Sequence, residues 1–135
     1  MTSQPDTFFV KVIAVVIGGV LLIPVLAFLR WLGTPLRNWE MRELIRNRRE
    51  FLLVYQPYAT PPASRMLTLL DDGEIGAGRN DNEYTWRVKR GCLEFFSEDC
   101  RLYSRFKIDR ANGRLSSVVG RHVRAVWGQY LLPQY

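Results

Sequence analysis

Five carboxylates gather along one stretch of the chain, at Asp71, Asp72, Glu74, Asp81 and Glu83. Paired carboxylates can work as general acid and base, or offer hard oxygen ligands to calcium. Here Asp71-Asp72-Gly73-Glu74 lies between apolar runs, where Asp-Gly is a strong hairpin signal, and no loop of calcium-binding spacing surrounds it. His122 is the single histidine. With no second histidine and no cysteine pair at ligand spacing, a zinc site with several histidines is excluded within one chain. Cys92 and Cys100 flank one strand. The register expected there sets Cys92 opposite Arg105, which separates the two cysteines beyond the ~7 Å that a disulfide tolerates between Cα atoms. Free thiols in a reducing compartment are expected. Gly-x-x-x-x-Gly-Lys, Gly-x-Ser-x-Gly and His-Glu-x-x-His are all missing. No catalytic, metal or cofactor-binding residue is assigned, and a non-enzymatic role is expected.

The remaining chemistry is basic. Lysine and arginine number 19 against 13 acids, a net charge of +6. The excess concentrates at Arg30, Arg37, Arg42, Arg46, Arg48 and Arg49, interrupted by Glu40, Glu43 and Glu50. Thr34-Pro35 is a helix-start signal, since threonine caps and proline suits the first helical position. Leu36, Trp39, Met41, Leu44, Ile45 and Leu52 follow mostly at helical spacing, which predicts a basic amphipathic helix over 33–50. Arg42, Arg46 and Arg49 share one side of it. Two uses of this basic collar stay open: packing on the head with solvated arginines, or contact with an anionic leaflet, where each arginine contributes about 1 kcal/mol. The expected lipid or partner contacts are Arg37, Arg42, Arg46, Arg48, Arg49, Trp31 and Trp39. Nucleic acid is not expected, because the membrane collar already accounts for the basic excess.

The collar follows an apolar run. Val12 to Leu29 carries no charge, which at about 1.5 Å per residue approaches the ~30 Å of bilayer hydrocarbon. A transmembrane helix is predicted over 8–32, with Lys11 snorkelling, Pro24 kinking it and Trp31 at the interface. The run exceeds the apolar region of a signal peptide, and no small-residue cleavage site follows. Ala14 and Gly18 form a small-xxx-small pair that permits close helix packing. The 1–7 flank has almost no charge, so the positive-inside rule predicts a single-pass protein of the inner or plasma membrane, N-terminus outside and head in the cytoplasm.

The head, 51–135, changes to period two with frequent turn signals, which predicts an antiparallel meander, a curled sheet or partial barrel. Strands are expected at Phe51 to Gln56, Arg65 to Leu70, from Glu83 to Ile108 in three passes, and around Leu115 to Val119. Turns fall at Lys89 to Cys92, Ser97 to Cys100 and Ala111-Asn112-Gly113. In this register Trp86 faces Phe95 and Leu102, and Val88 faces Leu93 and Ser104. One face collects Trp86, Val88, Leu93, Phe95, Leu102, Phe106 and Ile108 as core, and the other collects Arg87, Lys89, Glu94, Tyr103, Arg105 and Lys107. Val123 to Leu131 fits a short helix, though Gly128 and the branched residues also permit a strand; the helix is favoured.

Leu-Thr-Leu-Leu-Asp-Asp-Gly-Glu-Ile-Gly, then Asn82-Glu83 and Trp86, then Gly91-x-Leu93-x-Phe95 and Phe106, resembles a small β domain found beside bacterial polysaccharide glycosyltransferases. The likeness spans Leu67 to Phe106, without a transferase domain, and implies a role near surface-polysaccharide assembly. Two functions are therefore expected: an accessory or structural subunit that docks on a larger membrane complex through helix and collar, or a tethered β module for a glycan-related ligand or polysaccharide-synthesis enzyme.

Overall fold

The computed structural model describes residues 7–120, 122–125 and 127–135, with side chains from Pro24 onward apart from Leu32. One helix, α1 (Thr7–Arg48), precedes seven strands: β1 (Glu50–Gln56), β2 (Ala63–Thr68), β3 (Thr85–Lys89), β4 (Cys92–Phe96), β5 (Leu102–Asp109), β6 (Arg114–Ser117) and β7 (Tyr130–Pro133). Two compact units divide the chain, Met1–Thr34 and Pro35–Tyr135. In the first, Val25, Leu26, Phe28, Leu29 and Trp31 are exposed, and Phe28 stacks on Trp31 with ring centroids 6.0 Å apart.

Among the described residues no helix is long and apolar enough to cross a membrane. This overturns the transmembrane helix expected over 8–32, and with it the single-pass anchoring, the inner- or plasma-membrane location and the assigned orientation. In the described segment the uncharged run from Pro24 stops at Leu29, and Arg30, Arg37, Glu40, Arg42 and Glu43 follow. Hydrocarbon length is not reached there. The stretch from Phe8 to Ile23, including the Ala14 and Gly18 pair, lies outside the residues whose side chains are described.

In the second unit all seven strands form one antiparallel sheet in the order β2-β1-β7-β6-β5-β4-β3. It curls into a half-barrel because β7 returns to pair with both β1 and β6, with Leu53 opposite Leu131 and Leu115 opposite Leu131. The edges β2 and β3 are linked by the Asp-Gly turn, through bridges Leu69 to Ile75 and Glu74 to Thr85. Backbone bonds reinforce this seam: Ile75 donates to Tyr84 at 3.0 Å and Trp86 to Gly73 at 2.8 Å. Gly73 sits at φ 87°, a conformation that glycine adopts without steric cost.

The inner face is apolar through the middle. Phe51, Leu53, Leu67, Leu69, Ile75, Leu93, Phe95, Phe106, Leu115 and Leu131 are buried together with Met41 and Ile45 of α1. Full burial of each such side chain contributes about 1.5–3 kcal/mol. The helix segment thus plugs the barrel end where β1 begins and β2 stops. Arg49, at φ 51°, ends α1 by donating to Ile45 and accepts from Leu69, so one residue turns the chain into β1 and fastens it to the seam.

Strand pairing differs from expectation beyond β4. Trp86 opposes Phe95 and Val88 opposes Leu93 as read, but Phe95 faces Ser104 and Leu93 faces Phe106. A bulge at Phe95/Phe96 displaces Leu102 opposite Phe96. Within the expected core set, Leu93, Phe95 and Phe106 are fully buried, while Trp86, Val88 and Ile108 are partly buried against them. Leu102 is only half-buried. The helix favoured at Val123 to Leu131 is also corrected. Its end belongs to β7, since Gly128 at φ 80° interrupts any helix and Leu131 fills the gap between Leu53 and Leu115.

Candidate functional site

Helix α1 has two sides within the second unit. Met41 and Ile45 face the core, while Leu36 and Trp39 are 66% and 63% exposed. Trp39, Arg42, Glu43, Ile45 and Arg46 join Asp71 and Trp86 around a groove of 320 Å³. Trp86 donates its indole N–H to the Leu70 carbonyl at 2.9 Å, which fixes that wall. The collar is only partly brought together there. Arg46 pairs with Glu43 and Arg49 with Asp71 at 3.0 Å, whereas Arg48 lies over the Tyr135 ring at 4.1 Å. Arg37 lines the approach of the β3–β4 turn, where a Cβ on Gly91 would come within 2.7 Å of the Arg37 Cβ. Arg42 enters none of the ion pairs among the described residues. Trp31 belongs to the other unit.

The outer face of β3–β5 holds a feature the alternation pattern misassigned. Glu94, expected on an open face, is fully buried. Arg87 Nε donates to its Oε1 at 2.9 Å, and Arg105 Nε and Nη2 donate to its Oε2 at 2.8 and 2.6 Å. Burial alone would raise this carboxyl, but the hydrogen bonds and charges of Arg105 and Arg87 outweigh it and hold it below the ordinary glutamate value. Opposite charges at facing positions on three strands were the available signal.

At the barrel end away from α1 the inner face becomes polar. Tyr55, Gln56, Arg65, Asn80, Asn82, Glu83, Tyr103 and Gln129 line a cavity of 230 Å³. Glu83 is buried and paired with Arg65. Its carboxyl is pushed up by burial, against the opposing pull of Arg65 and Asn80. Burial, then the neighbouring Glu83, likewise raises the Tyr103 hydroxyl. Asn80 Oδ1 accepts from the backbone of Asn82 and Glu83 at 2.9 and 2.7 Å, shaping the rim. Arg65 Nε, Gln129 Oε1 and, on β5, Ser104 Oγ are buried with no hydrogen-bond partner. Of this set the sequence singles out Glu83, as one of five turn carboxylates, with Asn82 beside it; Arg65 alternates with the buried Leu67 along β2, whereas Gln129 falls just before β7, in the stretch expected to be helical.

The other carboxylates disperse. Asp71 pairs with Arg49, Asp72 Oδ1 accepts from the Glu74 backbone at 2.9 Å, and Glu74 lies 3.8 Å from Arg79. Among the described residues no three metal-ligating side chains gather, and His122 is exposed in a turn. Cys92 and Cys100 are free. Burial raises the Cys92 thiol despite Arg105, Lys107 and Arg37 nearby, the reverse of what activates a nucleophilic cysteine. In comparisons with protein families, curated proteins and solved structures, nothing matches the chain.

Proposed function

We propose that the chain is a non-enzymatic docking subunit of a larger protein assembly, which it engages through the outward side of α1 from Leu36 to Arg46. One observation carries this reading. Two large apolar side chains, Leu36 and Trp39, stand in solvent on a helix whose other side is already committed to the core. A tryptophan beside arginine at the edge of a groove is the composition of interface hot spots. The groove is apolar at Trp39, Ile45 and Trp86 and carries Arg42, a cation that enters no ion pair among the described residues. Its partner is therefore a protein segment with an apolar side chain for the Trp39–Trp86 groove and a carboxylate for Arg42. The charge contribution speeds encounter and weakens with salt, whereas the aromatic contact sets lifetime.

Site-specific photocrosslinking tests it. A photoreactive side chain at position 39 of the full chain should give one discrete crosslinked product with the native assembly, and the same group at Met66, on the exposed side of edge strand β2, should not. Equal products from both positions, or none from position 39, would exclude docking through the helix.

A further inference from the structure

We propose that the polar end of the barrel, at Arg65, Asn80, Gln129 and the rim residue Asn82, is a binding site for a small, uncharged, polyhydroxylated molecule. The reading is independent of the docking face, which lies at the opposite end. Buried polar atoms in folded proteins are almost always hydrogen-bonded, and each one that is not calls for a partner. Here one donor, Arg65 Nε, and one acceptor, Gln129 Oε1, lack partners on the walls of the same cavity. Gln129 is only 2% exposed. Hydroxyl groups suit both, because each one donates and accepts.

Charge narrows the class. Arg65 and Glu83 pair directly with each other on the cavity wall, so an anion would meet the Glu83 carboxylate and a cation the Arg65 guanidinium. An apolar ligand would leave the buried donor and acceptor unsatisfied, which costs more than its contacts return. Asn80 uses its carbonyl on the backbone, leaving its NH₂ to donate; Asn82, Tyr55 and Tyr103 add further two-way groups at the wall. Size narrows it again. A cavity of 230 Å³ falls below the roughly 300–1,000 Å³ of drug-sized sites, which suits one small ring or one terminal unit of a chain.

The test is side-chain amide NMR on the full-length protein, titrated separately with methyl α-glucopyranoside, myo-inositol and inorganic phosphate. Saturable shifts of the Gln129 and Asn80 NH₂ signals with either neutral polyol, and none with phosphate, are expected. Gln129→Leu should weaken the binding about tenfold, the ratio corresponding to one lost hydrogen bond. Since that variant can fail to fold, Asn82→Ala at the exposed rim is the second, expected to weaken binding with an unchanged spectrum elsewhere. Three results would overturn the proposal: no saturable shift with either polyol, as for a cavity that holds only water; saturation by phosphate instead; or polyol binding unaffected in both variants.

Discussion

Gly91 donates its backbone N–H to Asn38 Oδ1 at 2.5 Å, tying the β3–β4 turn to α1. The turn can come so near because Gly91, at φ 75°, has no Cβ to meet Arg37. This contact orients the helix, and therefore the side it leaves in solvent.

Gly91→Ala should accordingly destabilise the protein by about 1–2 kcal/mol from the left-handed conformation alone, with a further loss from the clash at Arg37. Asn38→Ala removes only the hydrogen bond and should cost about 0.5–1.5 kcal/mol. Urea unfolding of both variants checks the order. Equal, negligible effects would mean that the turn and helix are not coupled.

Met41 and Ile45 are core residues of the barrel, so the fold needs the helix segment that precedes it. A fragment starting at Pro35 should unfold cooperatively, and one starting at Phe51 should lose that cooperativity. Met41→Ala in the full chain should cost about 2–5 kcal/mol, the range for a truncated core side chain. Heat-capacity scans of the two fragments decide the matter.

Glu94→Gln should destabilise by about 1–2 kcal/mol at neutral pH. A completely buried pair would lose more, but the Arg87 and Arg105 side chains are 51% and 36% exposed and can rehydrate. Chemical denaturation of the variant checks it, and an unchanged midpoint would mean that the two arginines gain nothing from the carboxylate.

The two buried glutamates give opposite pH responses. Glu94 titrates below its ordinary value in the folded chain, so its contribution is complete above the unfolded value of about 4.5 and is lost as pH falls through the folded one. Glu83 titrates above its ordinary value, so the folded state holds that proton more tightly. Stability then declines as pH rises from about 4.5 through the raised value. Unfolding free energies across this range should lose the acid-side decline in Glu94→Gln and the opposing slope in Glu83→Gln. The same pH profile in wild type and both variants would refute these assignments.

Much of the head was readable because alternation and turn chemistry are local. Lys89 to Cys92 forms the expected hairpin, with Arg90 and Gly91 at positive φ, and Asn112-Gly113 closes the one between β5 and β6. What was not legible depended on long-range pairing. The bulge at Phe95/Phe96 shifts β5 without any residue that demands it, and β7 is a strand because β1 and β6 lie on either side of it. Burial of Glu94 follows from arginines on two neighbouring strands. The collar was legible as a basic helix, yet its arginines divide among Glu43, Asp71, Tyr135 and the turn at Gly91. Periodicity along one helix carries no information about those partners.

The most direct test of docking through α1 is native mass spectrometry of the assembly isolated with the full chain carrying Trp39→Ala, alone and combined with Arg42→Gln. Because both side chains are exposed, thermal unfolding should stay unchanged. The partner subunits should be depleted by Trp39→Ala, and depleted further with Arg42→Gln as salt is raised. Full recovery of the assembly with the double variant, at low and high salt alike, would contradict the account.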